Sequence, residues 1–184
     1  EEARKYALSE IEEYGTPMPI HFNLSEKKAI ELARKLSADE TITKTGVALM
    51  DLKLGQALKE GRLKNHTTMS ADAARTFLKR SELDQATEEK IINCIEAHHK
   101  HIPFTCLEAE ICANADCYRF LHPKGFFAYL TLLGKRYDDF EACLDQAEKK
   151  MGEKAGILTL DACKAELQGY HETLKRYIAD SRKL

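Results

Sequence analysis

The sequence predicts an all-α fold, a single-domain helical bundle. Only four prolines and nine glycines interrupt the 184 residues, and apolar residues recur with a period near 3.6 in nearly every interval between them. Alternation of apolar and polar residues, the pattern of a half-buried strand, extends over no more than a few residues. A chain of this length with 43% apolar residues can form one well-cored domain. We therefore expect one helical domain over 1–184.

Four helices are predicted in the N-terminal part of the chain. Ser25 suits the N-cap of the second helix, which continues through apolar positions such as Ala29 and Leu32. The fourth starts near His66 and repeats apolar residues up to Phe77. These helices are expected at about 4–14, 25–36, 40–59 and 66–77.

Five further helices are predicted after them. Ile91 and Ile95 lie at helical spacing in the fifth. Pro103 suits the first turn of the sixth, and Pro123 suits the position just after its end. These helices are expected at about 87–101, 103–121, 125–134, 135–150 and 158–178.

Composition limits the partners that can be expected. A formal net charge of −2 and a pI near 6.4 give no general electrostatic reason for binding nucleic acid or an anionic membrane. No apolar run approaches the roughly 18 residues of a membrane span, and the N-terminal residues EEARK do not resemble a secretory leader. We expect a cytoplasmic protein without a membrane partner, whose oligomeric state the sequence leaves open.

Two histidines and an aspartate lie on predicted apolar helix faces. Ile91 and Ile95 precede His98 and His99 at helical spacing, so these imidazoles should point into the protein. Asp116 has apolar residues one turn before and one turn after it. A carboxylate in an apolar medium must be paired or must hold a metal, and converging nitrogen and oxygen donors are typical of a divalent cation site. A helix C-terminus that favours imidazolium groups is the simpler alternative for the histidines.

Three more polar residues occupy positions that suggest a shared site. Asp51 lies between Val47 and Leu54 on a predicted apolar stripe. His66 starts a helix, and His21 lies where a loop leads into one. Alone, each has a structural interpretation, such as an Asp paired with an Arg or a helix-start histidine. Independent structural accidents rarely place one donor or donor pair on each of five successive helices or their leads.

Three local motifs carry a family resemblance. Residues 65–75 read NHTTMSADAAR, which contains H-x-x-x-S-A-x-x-A; residues 96–99 read EAHH; and residues 108–116 read EAEICANAD. In sequence and order they resemble the HD-domain superfamily of metal-dependent phosphohydrolases. The resemblance covers about 21–122 and implies an HD-like core followed by additional helices at about 125–180.

The chain departs from the HD pattern at one position, because Met50 replaces the histidine of the His-Asp doublet. A thioether is a poor ligand for Mg²⁺, Mn²⁺ or Fe, so the first of the family's two metal sites loses one ligand and the second remains intact. The resemblance thus implies one or two divalent cations per chain, of Fe, Mn, Mg, Ni or Zn. It places His21, Asp51 and Asp116 in the first site, and Asp51, His66, His98 and His99 in the second.

The resemblance also implies hydrolysis of a phosphate ester, with a nucleotide or another small phosphorylated molecule as the substrate. Asp51 would position the metal centre, with Lys53 beside it as a further catalytic candidate. The alternative is a catalytically impaired HD-like module that binds a nucleotide or a metal for signalling or regulation; a plain helical interaction protein is a third interpretation. Cations near the motifs could hold phosphate, namely Lys53, Arg75, Lys100 and Arg119.

Overall fold

The computed structural model describes residues 1–183. Within that range it contains ten α-helices, one 3₁₀-helix and no β-strand, which confirms the predicted all-α fold. No helix in this range is both long and apolar enough to cross a bilayer. The helices are α1 (Glu2–Tyr14), α2 (Pro19–Lys35), α3 (Glu40–Leu49), α4 (Leu54–Lys59), the 3₁₀-helix (Leu63–Asn65), α5 (His66–Leu78), α6 (Gln85–Glu96), α7 (Leu107–Leu121), α8 (Pro123–Leu133), α9 (Phe140–Ala155) and α10 (Asp161–Ser181).

Helix α7 forms the centre of the bundle. Twelve of its fifteen residues are buried, and α2, α3, α6, α8, α9 and α10 pack against it. Small side chains such as Ala109, Ala113 and Cys117 are fully buried and let these neighbours approach closely. Asp116 and Arg119 on α7 are cut off from water, so they must find partners inside the protein.

Helices α3 and α6 cross closely at Gly46. A Cβ at this position would lie 2.4 Å from Cβ and 2.8 Å from Sγ of Cys94, so no larger residue fits without a shift. The close crossing brings the C-terminal ends of the two helices together. Asp51 follows the first end and His98 follows the second.

The structure divides the predicted helix 40–59 into α3 and α4. Helix α3 stops before Asp51, and the backbone then makes a turn in which Leu54 N donates to Asp51 O at 3.0 Å. Ser70 Oγ on α5 accepts a hydrogen bond from Lys53 N at 3.0 Å. Because of this turn, Asp51 faces the ends of α5 and α6 instead of lying inside a continuous helix.

Two other helix starts differ from the prediction. Helix α2 begins at Pro19, and Ser25 lies buried in its interior, where its hydroxyl donates to a carbonyl one turn earlier. Helix α7 begins four residues after Pro103. The Asn93 side chain holds the intervening loop, since it donates to Pro103 O at 3.1 Å and accepts from Thr105 N at 2.8 Å.

Helix α9 lies about five residues further along the chain than the predicted helix 135–150. Asp139 caps it by accepting hydrogen bonds from the backbone N–H groups of Glu141 and Ala142. The displacement places Lys154 inside the last turn of α9, on the side that faces α7.

Candidate metal centre

Three imidazoles converge at the ends of α5 and α6; we call them the histidine cluster (His66, His98 and His99). One nitrogen of each ring lies within 4.8 Å of one nitrogen of the others. Asp51 adds its Oδ1 atom, which is 3.5 Å from Nε2 of both His66 and His98. The structure thus brings together the four residues that the resemblance places in the second metal site.

Backbone carbonyls fix the tautomers of two of these rings. Nδ1 of His66 donates to Leu63 O at 2.8 Å. Nδ1 of His98 donates to Ile95 O at 2.6 Å. In the neutral rings Nε2 therefore carries a lone pair near Asp51 Oδ1. His98 Nε2 is buried and has no hydrogen-bond partner among residues 1–183, and a cation between these acceptors would satisfy all of them.

His99 completes the cluster but also contacts a lysine. Its Nε2 is 3.1 Å from His66 Nε2, and Lys154 Nζ donates to its Nδ1 at 3.2 Å. Because Nδ1 accepts, Nε2 carries the proton and donates to His66. Metal ligation through Nε2 of His99 therefore requires the proton to move to Nδ1 and Lys154 to turn away from the ring.

The cluster has the protonation state and the chemistry of a divalent cation site. Burial lowers the pKa of His66 below its usual range and lowers the pKa of His99 to about 2. Both rings are neutral near pH 7, the form in which imidazole binds a metal. Three imidazoles and one carboxylate suit Zn, Fe, Ni or Mn better than Mg²⁺, which prefers oxygen ligands. These residues fit the metal that the resemblance implies.

Asp116 is engaged by two cationic side chains. Arg119 Nη1 pairs with its Oδ1 atom and Lys154 Nζ pairs with its Oδ2 atom. Burial alone would raise the pKa of Asp116, but the charges of Lys154 and Arg119 outweigh it and hold the pKa below its usual range. Asp116 is therefore ionised and already paired on both oxygens.

Arg119 lies between two carboxylates. The same Nη1 atom that pairs with Asp116 also pairs with Asp51 Oδ2. Burial would raise the pKa of Asp51, but the Arg119 guanidinium outweighs it and holds the pKa well below its usual range. The sequence suggests Arg119 as a phosphate-binding residue. In the structure, Arg119 neutralises the charges of Asp51 and Asp116.

His21 and Met50 do not join the histidine cluster. His21 Nε2 donates to Gly125 O at 2.9 Å, and its ring meets Phe120 edge-on at a centroid distance of 5.3 Å. Burial lowers the pKa of His21 to about 4. Met50 is 1% exposed and belongs to the apolar core. His21 lines the same pocket as Asp51 and Asp116, the other residues of the predicted first metal site, and Arg119 joins those two carboxylates.

Three of the cations expected to bind phosphate lie outside the site. Lys53 pairs with Glu10 at 2.7 Å, and Arg75 pairs with Glu96 at 2.8 Å. Lys100 is exposed and donates to a backbone carbonyl at 3.4 Å. These side chains turn toward nearer partners, so the structure does not bring them to the histidine cluster.

A pocket of about 210 Å³ opens over His66, His99 and both carboxylates. Arg119 and Lys154 line it, and Arg136 and Lys150 add two further positive charges that the sequence motifs do not indicate. Lys150 also lies over the ring of Phe120, with Nζ 5.6 Å from the centroid. The apolar part of the lining consists of Pro17, Met18, Leu54, Leu58, Leu63, Phe120, Tyr129 and Leu132.

Comparison with known proteins identifies the architecture. No protein-family model and no curated protein matches the chain. It is similar to the crystal structure of a predicted HD superfamily hydrolase from an uncultured Thermotogales bacterium, with a TM-score of 0.70 and 14% identity over 97% of this chain and 91% of that chain. The chain has the fold of an HD-superfamily hydrolase. The HD-like architecture expected from the motifs is thus confirmed.

Within the HD-type fold, Lys154 is the residue that the sequence motifs leave out. Its signal is present in the sequence, since Ala147 and Met151 precede it on the buried stripe of α9. A lysine on an apolar stripe requires a partner as much as an aspartate does. Arg136 is exposed and does not lie on an apolar stripe, so the sequence pattern does not indicate it. Its position at the pocket depends on how α8 ends.

Proposed function

We propose that this protein is a metal-dependent phosphohydrolase that acts on the phosphate ester of a nucleotide or another small molecule. The single observation that carries the proposal is the convergence of the histidine cluster and the Asp51 carboxylate in a cationic pocket. The fold supports it, because a predicted HD superfamily hydrolase has a similar structure.

The charge of the pocket favours a dianionic group. Its acidic lining residues are Asp51 and Asp116, and the buried histidines are neutral where burial lowers their pKa. Glu153 pairs with Lys150 at 3.0 Å, but the four positive side chains still outnumber the three carboxylates, and this net positive charge suits a phosphate monoester. The cationic lining residues are Arg119, Arg136, Lys150 and Lys154.

A divalent cation at the histidine cluster would supply Lewis-acid activation of water and of a phosphoryl oxygen. The side chains of this protein prepare the site for it. Arg119 keeps Asp51 ionised and oriented. Lys154 and Arg119 present fixed positive charge beside the cluster, and such charge stabilises the negative charge that builds up on phosphoryl oxygens.

The apolar part of the pocket suits the organic part of the ester. Leu58 and Leu63 are 37% and 46% exposed, although both line the pocket. Phe120 and Tyr129 pack edge-to-face nearby, with ring centroids 5.1 Å apart. Exposed leucines and aromatic rings beside a charged site are typical of a pocket that binds an apolar or aromatic group, such as a nucleobase.

A binding module without turnover is the second candidate function. One observation favours it: Arg119 and Lys154 satisfy Asp116 and one oxygen of Asp51 without any metal. Such a protein would bind a nucleotide or a metal and release no phosphate.

Phosphate release by reconstituted protein tests the proposal. Metal-free protein is loaded separately with Mn²⁺, Fe²⁺, Ni²⁺, Zn²⁺ or Mg²⁺ and assayed against a panel of phosphomonoesters and nucleotides. His66→Gln should abolish release while circular dichroism shows a retained fold. His101→Gln, which changes an exposed histidine near the cluster, should keep the activity. Calorimetric nucleotide binding without release from any loaded form would contradict the hydrolase and favour the binding module.

A further inference from the structure

Two carboxylates lie side by side in the interior of this protein. Asp51 is 7% exposed and Asp116 is 1% exposed, and they share one contact through Arg119 Nη1. Two buried carboxylates would repel each other and take up a proton unless positive charge lies between them. In the two-metal centre that the resemblance implies, the first metal ion would provide that charge.

The positive charge here belongs to the chain itself. Arg119 follows Asp116 by three residues on α7, so the two side chains share a helix face, and Arg119 is 3% exposed. Lys154 reaches the same carboxylate from α9 and is 1% exposed. An arginine and a lysine together carry the charge of one divalent cation.

Positively charged side chains already occupy the carboxylate ligands of the predicted first metal site, and Met50 removes one of its imidazoles. Both oxygens of Asp116 and Oδ2 of Asp51 are paired with Arg119 or Lys154. His21 donates from Nε2 to a backbone carbonyl, which leaves Nδ1 as its lone-pair nitrogen, and Met50 supplies a buried thioether in place of an imidazole. The Oδ1 atom of Asp51 is different, because it faces the histidine cluster.

We propose that Arg119 and Lys154 permanently replace the first metal ion, so that the protein binds a single divalent cation, between Asp51 Oδ1 and the histidine cluster. This inference rests on the metal centre of the proposed function. A second divalent cation would have to displace the guanidinium and the ammonium group from the three carboxylate oxygens that they occupy, which would leave two buried positive charges without partners. The Arg119–Lys154 pair therefore limits the protein to one metal ion. Met50 is tolerated because no metal ion needs a ligand at this position.

Metal stoichiometry tests the proposal without any substrate. Chelator-treated protein is titrated with Mn²⁺ by calorimetry, and bound metal is counted by elemental analysis after desalting. Wild-type protein should bind one equivalent and give the electron paramagnetic resonance spectrum of isolated Mn²⁺. Two equivalents, or the spectrum of a spin-coupled pair, would overturn the inference.

Two variants separate the effect of the cations from the effect of the missing ligand. Met50→His restores an imidazole but keeps the cations, and it should still bind one equivalent. Met50→His combined with Arg119→Ala and Lys154→Ala should bind two. A second equivalent in Met50→His alone, or only one in the folded triple variant, would contradict the proposal. If the triple variant does not fold, the counts for the wild type and for Met50→His decide.

The outcome is independent of turnover. One equivalent without phosphate release would support the fixed cation pair and contradict the proposed hydrolase. Two equivalents with phosphate release would support the hydrolase and contradict the replacement of the first metal ion by Arg119 and Lys154. No bound Mn²⁺ at all would overturn the metal centre on which both depend.

Discussion

Replacing Lys154 with methionine removes a buried positive charge and leaves its partner behind. Lys154 and Asp116 are each 1% exposed, and removing one partner of a buried ion pair costs about 3–5 kcal/mol. Arg119 still contacts Asp116, so we expect the lower end, about 3 kcal/mol. In a protein of this size 1 kcal/mol shifts Tm by roughly 2–4 °C, so Tm should fall by about 6–12 °C.

Urea unfolding and thermal unfolding of metal-free protein at pH 7 measure this loss. Lys149→Met, at an exposed position of the same helix, is the matched control and should change stability by less than about 0.5 kcal/mol. A loss below about 1 kcal/mol for Lys154→Met, the range of an exposed pair, would refute the reasoning that this lysine neutralises a buried carboxylate.

The pH dependence of the same variant provides a second check. The pKa of Asp116 is lowered in the folded protein, mainly because the charges of Lys154 and Arg119 outweigh the effect of burial. Such a group stabilises the fold above its unfolded pKa, and the stabilisation is lost as the pH falls through its folded pKa. The difference in unfolding free energy between wild type and Lys154→Met should be largest at neutral pH and should become smaller below about pH 4. A difference that stays constant down to pH 2 would contradict this assignment.

Three further predictions concern the site and its packing. His66→Gln should weaken Mn²⁺ binding by about 100-fold or more in calorimetric titrations, and His101→Gln should leave it unchanged; equal effects would argue against the cluster. Burial lowers the pKa of His21 to about 4, so the unfolded chain takes up this proton at higher pH than the folded protein does. The free energy of unfolding of the wild type should therefore fall by up to ~3 kcal/mol between about pH 6.5 and pH 4. His21→Phe should show a shallower loss in urea unfolding. Gly46→Ala should destabilise by about 1–3 kcal/mol because its Cβ would meet α6. Gly152→Ala, in open space on α9, should stabilise by about 0.5–1 kcal/mol. A higher melting temperature for Gly46→Ala would contradict the first prediction, and a lower one for Gly152→Ala would contradict the second.

The fold and the histidine cluster could be predicted because both depend on local pattern. Helical periodicity indicates the bundle, and the isoleucines before His98 and His99 indicate that these rings turn inward. The order of Asp51, His66 and the paired histidines matches the HD motifs, so long-range proximity follows from the resemblance. Asp51 and His98 are only 7% and 0% exposed, as the periodicity argument predicts, although both lie just beyond a helix end.

Local sequence pattern could not predict that Arg119 and Lys154 lie at the carboxylates of the predicted first metal site. Arg119 looks like one of several cations near the motifs, and nothing local to the sequence shows that its side chain turns toward Asp51, 68 residues away. Lys154 continues the stripe of Ala147 and Met151 but lies beyond the helix end predicted at about 150, and its contact with Asp116, 38 residues away, depends on helix packing. Lys53 and Arg75 point away because acidic partners on other helices are nearer, and such competition depends on the packing of helices.

Anomalous diffraction from a crystal of the Mn²⁺-loaded wild-type protein tests the central claim most directly. We expect one peak, at a position within coordination distance of Asp51 Oδ1 and the nitrogens of the histidine cluster, with Arg119 still between Asp51 and Asp116. A peak between the two carboxylates, or no peak at the histidine cluster, would contradict it.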